Sequence, residues 1–402
     1  MTTNNSTSTS PSHPTTTQAV ALITLASALV ISFALQRKSR KIDMSMPAKE
    51  GVWGVTESST MPNLPPDFIV GSFVNSRSQS IFTINLPPRE GKNSSSSSSS
   101  SSSFSSSSSP STAKAMLVLV HGVGEHCCRP GYVSLFESLS DAGVDVYGLD
   151  HHGHGRSDGS PRGYAEKFDH YVDDVLEYVR LCRAKYVGDA TTTATSTTTP
   201  PPLILMGQSM GGLVSVMAAL RLGSDDVSGL VLTGPALGVD MNVVLRVQKL
   251  VSPAIDRLLP RAKIVDAVRP VDLSRNPNAV RSYVEDPLVL KGRLVARTAI
   301  GIDRAFDVVR NRRTELSCPM LILHGTADVV TSPGASLDFF RNVRSTNKRY
   351  LRLVDYKHEI FEDDPDVPFA NIVAFVSSGG RAFADIDGGE VDGGEGVIDV
   401  GL

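Results

Sequence analysis

The sequence predicts an α/β protein whose mostly parallel central sheet is flanked by helices. Two observations predict it. Short apolar runs of four to six residues recur along the chain, each ending at a turn-like and mostly glycine-bearing segment, which is what a sheet covered on both faces requires. Between those runs lie longer segments in which apolar residues return at helical spacing. In chain order the strands are Ala115–Val120 before HGVGEH, Val144–Leu149 before DHHGHGRSDG and Leu203–Met206 before GQSMGG. Leu230–Thr233 before GP, Met320–Leu323 before HGTAD and Tyr350–Val354 before DYKHE follow. The intervening helices are Tyr132–Ala142, Tyr164–Arg183 and Gly212–Leu222. In such a sheet ligands bind beyond the carboxyl ends of the strands, so every turn that follows a strand is a candidate site.

The folded unit is expected to run from about Pro66 to Ser377, with 1–65 ahead of it as a tail and linker. Within that tail Ala19–Leu35 (AVALITLASALVISFAL) is a 17-residue run without a charge, followed by RKSRK at Arg37–Lys41. As a helix it would extend roughly 26 Å, enough for a single-pass anchor at the short end. Basic residues on its C-terminal side favour a cytosolic catalytic part, at the endoplasmic reticulum. A plastid or mitochondrial transit peptide is the rival reading, because the first forty residues are rich in Ser and Thr and contain no acid. The serine tract at 93–112 and the Thr/Pro tract at 190–202 are expected to be loop inserts, and the acidic, glycine-rich 378–402 a disordered tail.

Lys+Arg number 39 against Asp+Glu 42, a net charge of −3, so no large basic field draws the protein to nucleic acid. Four cysteines, at 127, 128, 182 and 318, form no C-x-x-C pair and are expected to be reduced thiols without a structural zinc.

Chemistry concentrates in the turn GQSMGG. Ser209 lies in Gly207-x-Ser209-x-Gly211, between a strand and a helix, where a nucleophile elbow holds its serine exposed on a sharp corner. A serine nucleophile needs a base and a group to orient it, following in the order Ser, acid, His. His324 and His358 are the two histidines beyond Ser209. His324 directly follows a strand and is read as structural, whereas His358 lies on a loop able to carry its ring over the sheet. Asp328 is the favoured acid, because Asp355 and Glu359 are too close in sequence to His358. The backbone amides of Val123 and Met210 are the expected oxyanion donors. Glu125 and His126 either line the substrate pocket or brace the loop that carries Val123.

Together HGVGEH (His121–His126), DHHGHGRSDG (Asp150–Gly159), GQSMGG (Gly207–Gly212), DPLV (Asp286–Val289), LHGTADVV (Leu323–Val330) and KHEIFED (Lys357–Asp363) resemble, in order and spacing, the monoacylglycerol lipase and lysophospholipase-type esterases of the α/β-hydrolase superfamily. The resemblance covers most of Phe73–Phe375, beginning with a hairpin at FVNSRSQSIFTINLPP. It implies an α/β-hydrolase fold with a helical cap at about Gly234–Arg313, and the same roles for Ser209, Asp328, His358, Val123 and Met210. It further implies hydrolysis of a monoacylglycerol or lysophospholipid ester through an acyl-enzyme, with no metal or organic cofactor. VVLRVQKLVSPAIDRLL in the cap is amphipathic, and its apolar side either meets an acyl chain or membrane or packs in the core. An acyltransferase and a hydroxycinnamoyl (caffeoyl shikimate-like) esterase remain open on the same residues. A non-catalytic ligand-binding protein is the reading from another class. Epoxide hydrolases and dehalogenases are excluded, since they need a carboxylate where Ser209 stands. DYKHE replaces the glycine-containing turn usual before the histidine, which leaves the leaving-group pocket undefined.

Overall fold

The computed structural model describes residues 64–89, 113–186, 199–239, 243–266, 268–385, 390–392 and 396–401. The Ala19–Leu35 run and nearly all of the two low-complexity tracts lie outside these residues. Among the described residues no helix is long and apolar enough to cross a membrane. The serine tract falls between the strands Ser80–Leu86 and Ala115–Val120, and the Thr/Pro tract between the helix Asp169–Ala184 and the strand Leu203–Gln208.

The strands are β1 (Ile69–Val74), β2 (Ser80–Leu86), β3 (Ala115–Val120), β4 (Val144–Leu149), β5 (Leu203–Gln208) and β6 (Gly229–Thr233). After the cap come β9 (Met320–Gly325), β10 (Lys348–Leu353), β11 (Glu390–Asp392) and β12 (Val397–Val400). Their order in the sheet is β1–β2–β4–β3–β5–β6–β9–β10–β12–β11. From β4 to β12 every neighbouring pair is parallel; the antiparallel pairs are β1–β2, β2–β4 and β11–β12.

The central strands are apolar on both sides because both sides are covered. Met116, Val118 and Val120 of β3 enter one core, and Ala115, Leu117 and Leu119 enter the other. The first core is closed by α2 (Asp169–Ala184), α3 (Met210–Leu222), α7 (Ala296–Arg312) and α8 (Pro333–Asn342), through side chains such as Val175, Leu213, Phe306 and Phe339. The second is closed by α1 (Pro130–Asp141) and α9 (Asp366–Ser377), through Phe136 and Phe375.

The segment between β6 and β9 holds α4 (Val243–Leu258), α5 (Pro270–Leu273), α6 (Pro277–Glu285) and α7, with a two-stranded antiparallel pair, β7 (Lys263–Asp266) and β8 (Arg293–Val295). The amphipathic sequence at Val243–Leu258 is a helix, with Pro253 inside it. It falls almost wholly in a unit separate from the one that carries the sheet.

One boundary differs from the sequence reading. The expected disordered tail contains β12, whose residues pair in parallel with Tyr350–Leu353 of β10 and bury Val397 and Ile398. Composition misleads here because four residues suffice for a strand when a neighbour supplies its hydrogen-bonding edge.

Candidate active site

Ser209 stands between β5 and α3 with φ 54° and ψ −121°, in the left-handed half of backbone space that a side chain occupies only under constraint. The constraint is visible in its hydrogen bonds. Its N–H donates to Thr233 O at 3.1 Å, and its carbonyl accepts from Gly212 at 3.0 Å and Ala236 at 2.9 Å. The two flanking glycines are steric necessities. A Cβ on Gly211 would lie 2.0 Å from Val120 O, and one on Gly207 would lie 2.2 Å from Gly211 O. Met210 opens α3, so its N–H belongs to the first turn, which has no intrahelical acceptors.

The turn after β3 lies directly against this corner, since a Cβ on Gly122 would be 3.1 Å from Ser209 Cβ. Its shape is set from inside. Glu125 N–H reaches back to Gly122 O at 3.4 Å, spanning Val123, and the Glu125 carboxylate accepts from Gly122 N–H at 3.3 Å and Tyr132 OH at 2.9 Å. His121 Nε2 accepts His151 N–H at 2.9 Å, which leaves its Nδ1–H to donate to Gly122 O at 2.7 Å. Burial holds His121 down to about 4, so it stays neutral in that role. Asp150, the first residue of DHHGHGRSDG, accepts from Cys127 N–H at 2.7 Å and Arg156 N–H at 2.8 Å, fastening the end of the turn.

Across the site His358 Nδ1 donates to Asp328 Oδ2 at 2.8 Å, and both side chains are buried. Asp328 Oδ1 accepts from the backbone of Val330 at 2.7 Å and Thr331 at 3.0 Å, and the Thr331 hydroxyl reaches Oδ2 at 2.8 Å. Burial alone would raise the Asp328 carboxyl; the His358 charge and hydrogen bonds from His324 and His358 outweigh it and hold it well below the ordinary carboxylate range. Burial likewise opposes charge on His358, but Asp328 wins and lifts the imidazole above its ordinary value of 6.5. One short turn joins the pair to the elbow. Thr233 accepts the Ser209 N–H, while Gly234 is so close that a Cβ there would be 3.3 Å from His358 Nδ1 and 3.4 Å from Asp328 Oδ2.

Residues 111–365, more than half of the chain, match a family model described as Hydrolase_4, serine aminopeptidase S33. The chain belongs to the Hydrolase_4 family. Relatives of this Hydrolase_4 member include human monoglyceride lipase, 32% identical over 259 residues, 63% of this chain and 78% of that protein. The monoacylglycerol lipase of Mycolicibacterium smegmatis is 29% identical over 257 residues, 62% of this chain and 83% of that protein. Among solved structures, the monoacylglycerol lipase of Paleococcus ferrophilus superposes with a TM-score of 0.54 at 29% identity, covering 66% of this chain and 94% of that one. A soluble variant of the Saccharomyces cerevisiae monoglyceride lipase reaches 0.60 at 18% identity, covering 82% and 99%, a likeness of fold. The protein is thus an α/β-hydrolase and a carboxylic ester hydrolase of the monoacylglycerol lipase-like type.

In this Hydrolase_4 member Glu125 and His126 both brace the loop. His126 Nε2 meets Asp286 Oδ2 of the DPLV segment at 2.8 Å, and Leu290 N–H donates to Gly124 O at 2.7 Å. The cap is therefore tied to the turn that carries Val123. The altered turn DYKHE is pinned without glycine: Asp355 itself takes φ 62°, a conformation that Asp tolerates better than most residues. Its N–H donates to Thr326 Oγ at 2.9 Å. Asp363 then accepts Lys357 N–H at 2.7 Å through one oxygen and Ser274 Oγ at 2.7 Å through the other, joining the histidine loop to the cap. Glu359, beside His358, is pushed well above the ordinary carboxyl range by burial and by Glu125, with which its side chain shares a hydrogen bond. Sequence reasoning missed Gly234, Thr331 and Asp363. The GP after β6 and the D ending KHEIFED were the available signals.

Proposed function

We propose that this hydrolase cleaves monoacylglycerol-type esters through an acyl-enzyme on Ser209. The observation that carries the mechanism is the 2.8 Å bond from His358 Nδ1–H to Asp328. It fixes the tautomer that leaves Nε2 free as a base, the arrangement a serine nucleophile needs. Ser209 Oγ attacks the ester carbonyl while His358 takes its proton, and the amides of Val123 and Met210 receive the negative charge that forms on the carbonyl oxygen. The alcohol leaves with the proton from His358. Water, deprotonated by the same imidazole, then releases the fatty acid. The relatives' activity on monoglycerides supports the substrate class, and the apolar Ala19–Leu35 run supports delivery of the site to a membrane surface, where such lipids reside.

The test is release of the free carboxylic acid from monoacylglycerol, lysophospholipid and hydroxycinnamoyl esters, each compared with Ser209→Ala. Wild type should label with an active-site fluorophosphonate and outpace Ser209→Ala by several orders of magnitude, with Asp328→Asn losing roughly 10⁴-fold in kcat. If monoacylglycerol is cleaved no faster than in the Ser209→Ala control, the lipase reading fails.

A further inference from the structure

His324 is a second histidine at the acid, besides His358. Its Nε2 is 3.1 Å from Asp328 Oδ2, the same oxygen that His358 engages. Its Nδ1 is 2.7 Å from Ser336 Oγ in α8, and Ser336 Oγ is 2.8 Å from the Tyr350 hydroxyl in β10. All three side chains are almost wholly buried. The competing partners are Pro333 O, at 3.0 Å from Ser336 and 3.3 Å from Tyr350, and Thr331 Oγ, at 3.3 Å from His324 Nε2, in each case farther than the partner in the chain.

The directions of these bonds follow from their chemistry. Asp328 is only an acceptor, so His324 Nε2 carries the proton between them. Burial keeps His324 below its ordinary value despite Asp328, so its Nδ1 is unprotonated and accepts from Ser336. Ser336, having given its proton to His324, accepts from Tyr350, whose hydroxyl burial pushes up to about 12 and which therefore remains a donor. Every proton in the chain points toward the carboxylate, so each bond polarises the next. A polar chain of this kind inside an apolar core would be costly if any member lacked its partner.

We propose that His324 is a positioning residue for the hydrolysis: a neutral N–H donor, backed by Ser336 and Tyr350, that fixes Asp328 so its remaining bond orients His358. This rests on the assignment of Asp328 and His358 as the acid and base for Ser209. Without the His324 donor, Oδ2 would keep only the Thr331 hydroxyl beside His358, and that hydroxyl can turn instead to Gly234 O at 3.0 Å. The carboxylate would then swing, and its undiluted charge would bind the His358 proton more tightly.

The experiment compares the full chain with His324→Leu, which fills the space without a donor, and His324→Gln, whose amide N–H reaches the position of Nε2. Ser336→Ala, which leaves His324 in place but frees its Nδ1, completes the set. His324→Leu should lose on the order of tenfold in kcat/KM, carried by kcat. Its acid limb should move up by about 0.5 to 1 pH unit, and its low-field proton resonance from His358 Nδ1–H should shift or broaden. His324→Gln should restore both, and Ser336→Ala should move both in the direction of His324→Leu by a smaller amount. Wild-type limb and resonance in His324→Leu and Ser336→Ala, with lost activity only tracking the folded fraction, would overturn the proposal. If His324→Leu does not fold, Ser336→Ala decides by the same two readouts. Asp328→Asn separates the two levels: retained activity there overturns the acid assignment itself, whereas an inactive Asp328→Asn beside a wild-type-like His324→Leu overturns only the role of His324.

Discussion

Gly211 bears the tightest constraint at the elbow, and its consequence is measurable. A methyl group 2.0 Å from Val120 O has no space, and that carbonyl belongs to a central strand that cannot retreat without breaking its pairing. Gly211→Ala should therefore cost about 3 kcal/mol or more of stability, read as a lowered thermal midpoint together with lost activity. Gly223→Ala provides the contrast, because no atom lies within 4 Å of its Cβ position and only its positive φ opposes the change. An equal loss at both positions would mean that the crowding at Gly211 is not what matters. His358 yields the second expectation at this scale. Catalysis needs the neutral imidazole, and Asp328 raises its affinity for a proton, so the acid limb of kcat/KM should lie above 6.5. A limb at or below that value would show that the Asp328 bond does not act in solution. The pairing of Asp328 with His358 was readable because both, like Ser209, follow a strand end, where chain order and turn chemistry restrict the choice. His324 was read as structural, and its contacts could not be foreseen: its partners Ser336 and Tyr350 are 12 and 26 residues away in sequence, and no local pattern announces that they meet.

The cap illustrates a limit at the scale of elements. Apolar spacing announced its first helix, Val243–Leu258, but not the contacts by which its loops hold the site. Asp286 and His126 are 160 residues apart, and neither the DPLV segment nor HGVGEH declares the other as its partner. Burial disfavours charge on His126, yet bonds to Asp286 and Cys128 raise it to about 9, while His126 helps lower Asp286 to about 2 against its own burial. The sign of the linkage follows. A raised histidine contributes its stability fully below the unfolded value near 6.5 and loses it as pH climbs through about 9. The depressed Asp286 contributes above 3.8 and fails only near 2. The tie between cap and oxyanion turn should thus be complete between about pH 4 and 6.5 and weaken toward 9. Amide exchange at Leu290, whose N–H is bound to Gly124 O, should accelerate beyond that intrinsic to alkaline pH. Asp286→Asn should show the faster exchange already at neutral pH, with kcat lowered more than KM is changed, because Val123 is then held by the rest of its turn alone. Unchanged exchange in Asp286→Asn would rule out the clamp.

Across the whole molecule, the sheet was legible wherever strands are buried on both faces, since such strands are short continuous apolar runs, each closed by a turn-like segment. Its far edge was not. Glycine and acid dominate the sequence around VIDV, and a strand of four residues, one of them Asp399, resembles a solvated tail. What makes it a strand is β10. Tyr350 N–H donates to Gly396 O and Val354 N–H to Val400 O, both at 2.9 Å, and Arg352 pairs with Asp399 at 2.6 Å. Removing residues 386–402 would strip this cover, exposing the hydrogen-bonding edge of β10 and the surface on which Val397 and Ile398 lie. Each of those side chains is worth roughly 1.5–3 kcal/mol when buried, so the shortened chain should lose about 3 kcal/mol or more of stability, unfold at a lower temperature and aggregate through the bared edge. Specific activity per folded molecule should survive, because the strand ends bearing Ser209, Asp328 and His358 keep their own partners. Ile398→Asp in the full chain should reproduce the loss of stability by denying β12 its packing while leaving its length intact. If both variants melt and self-associate no differently from the full chain, β12 contributes nothing to the fold, and the sheet effectively ends at β10.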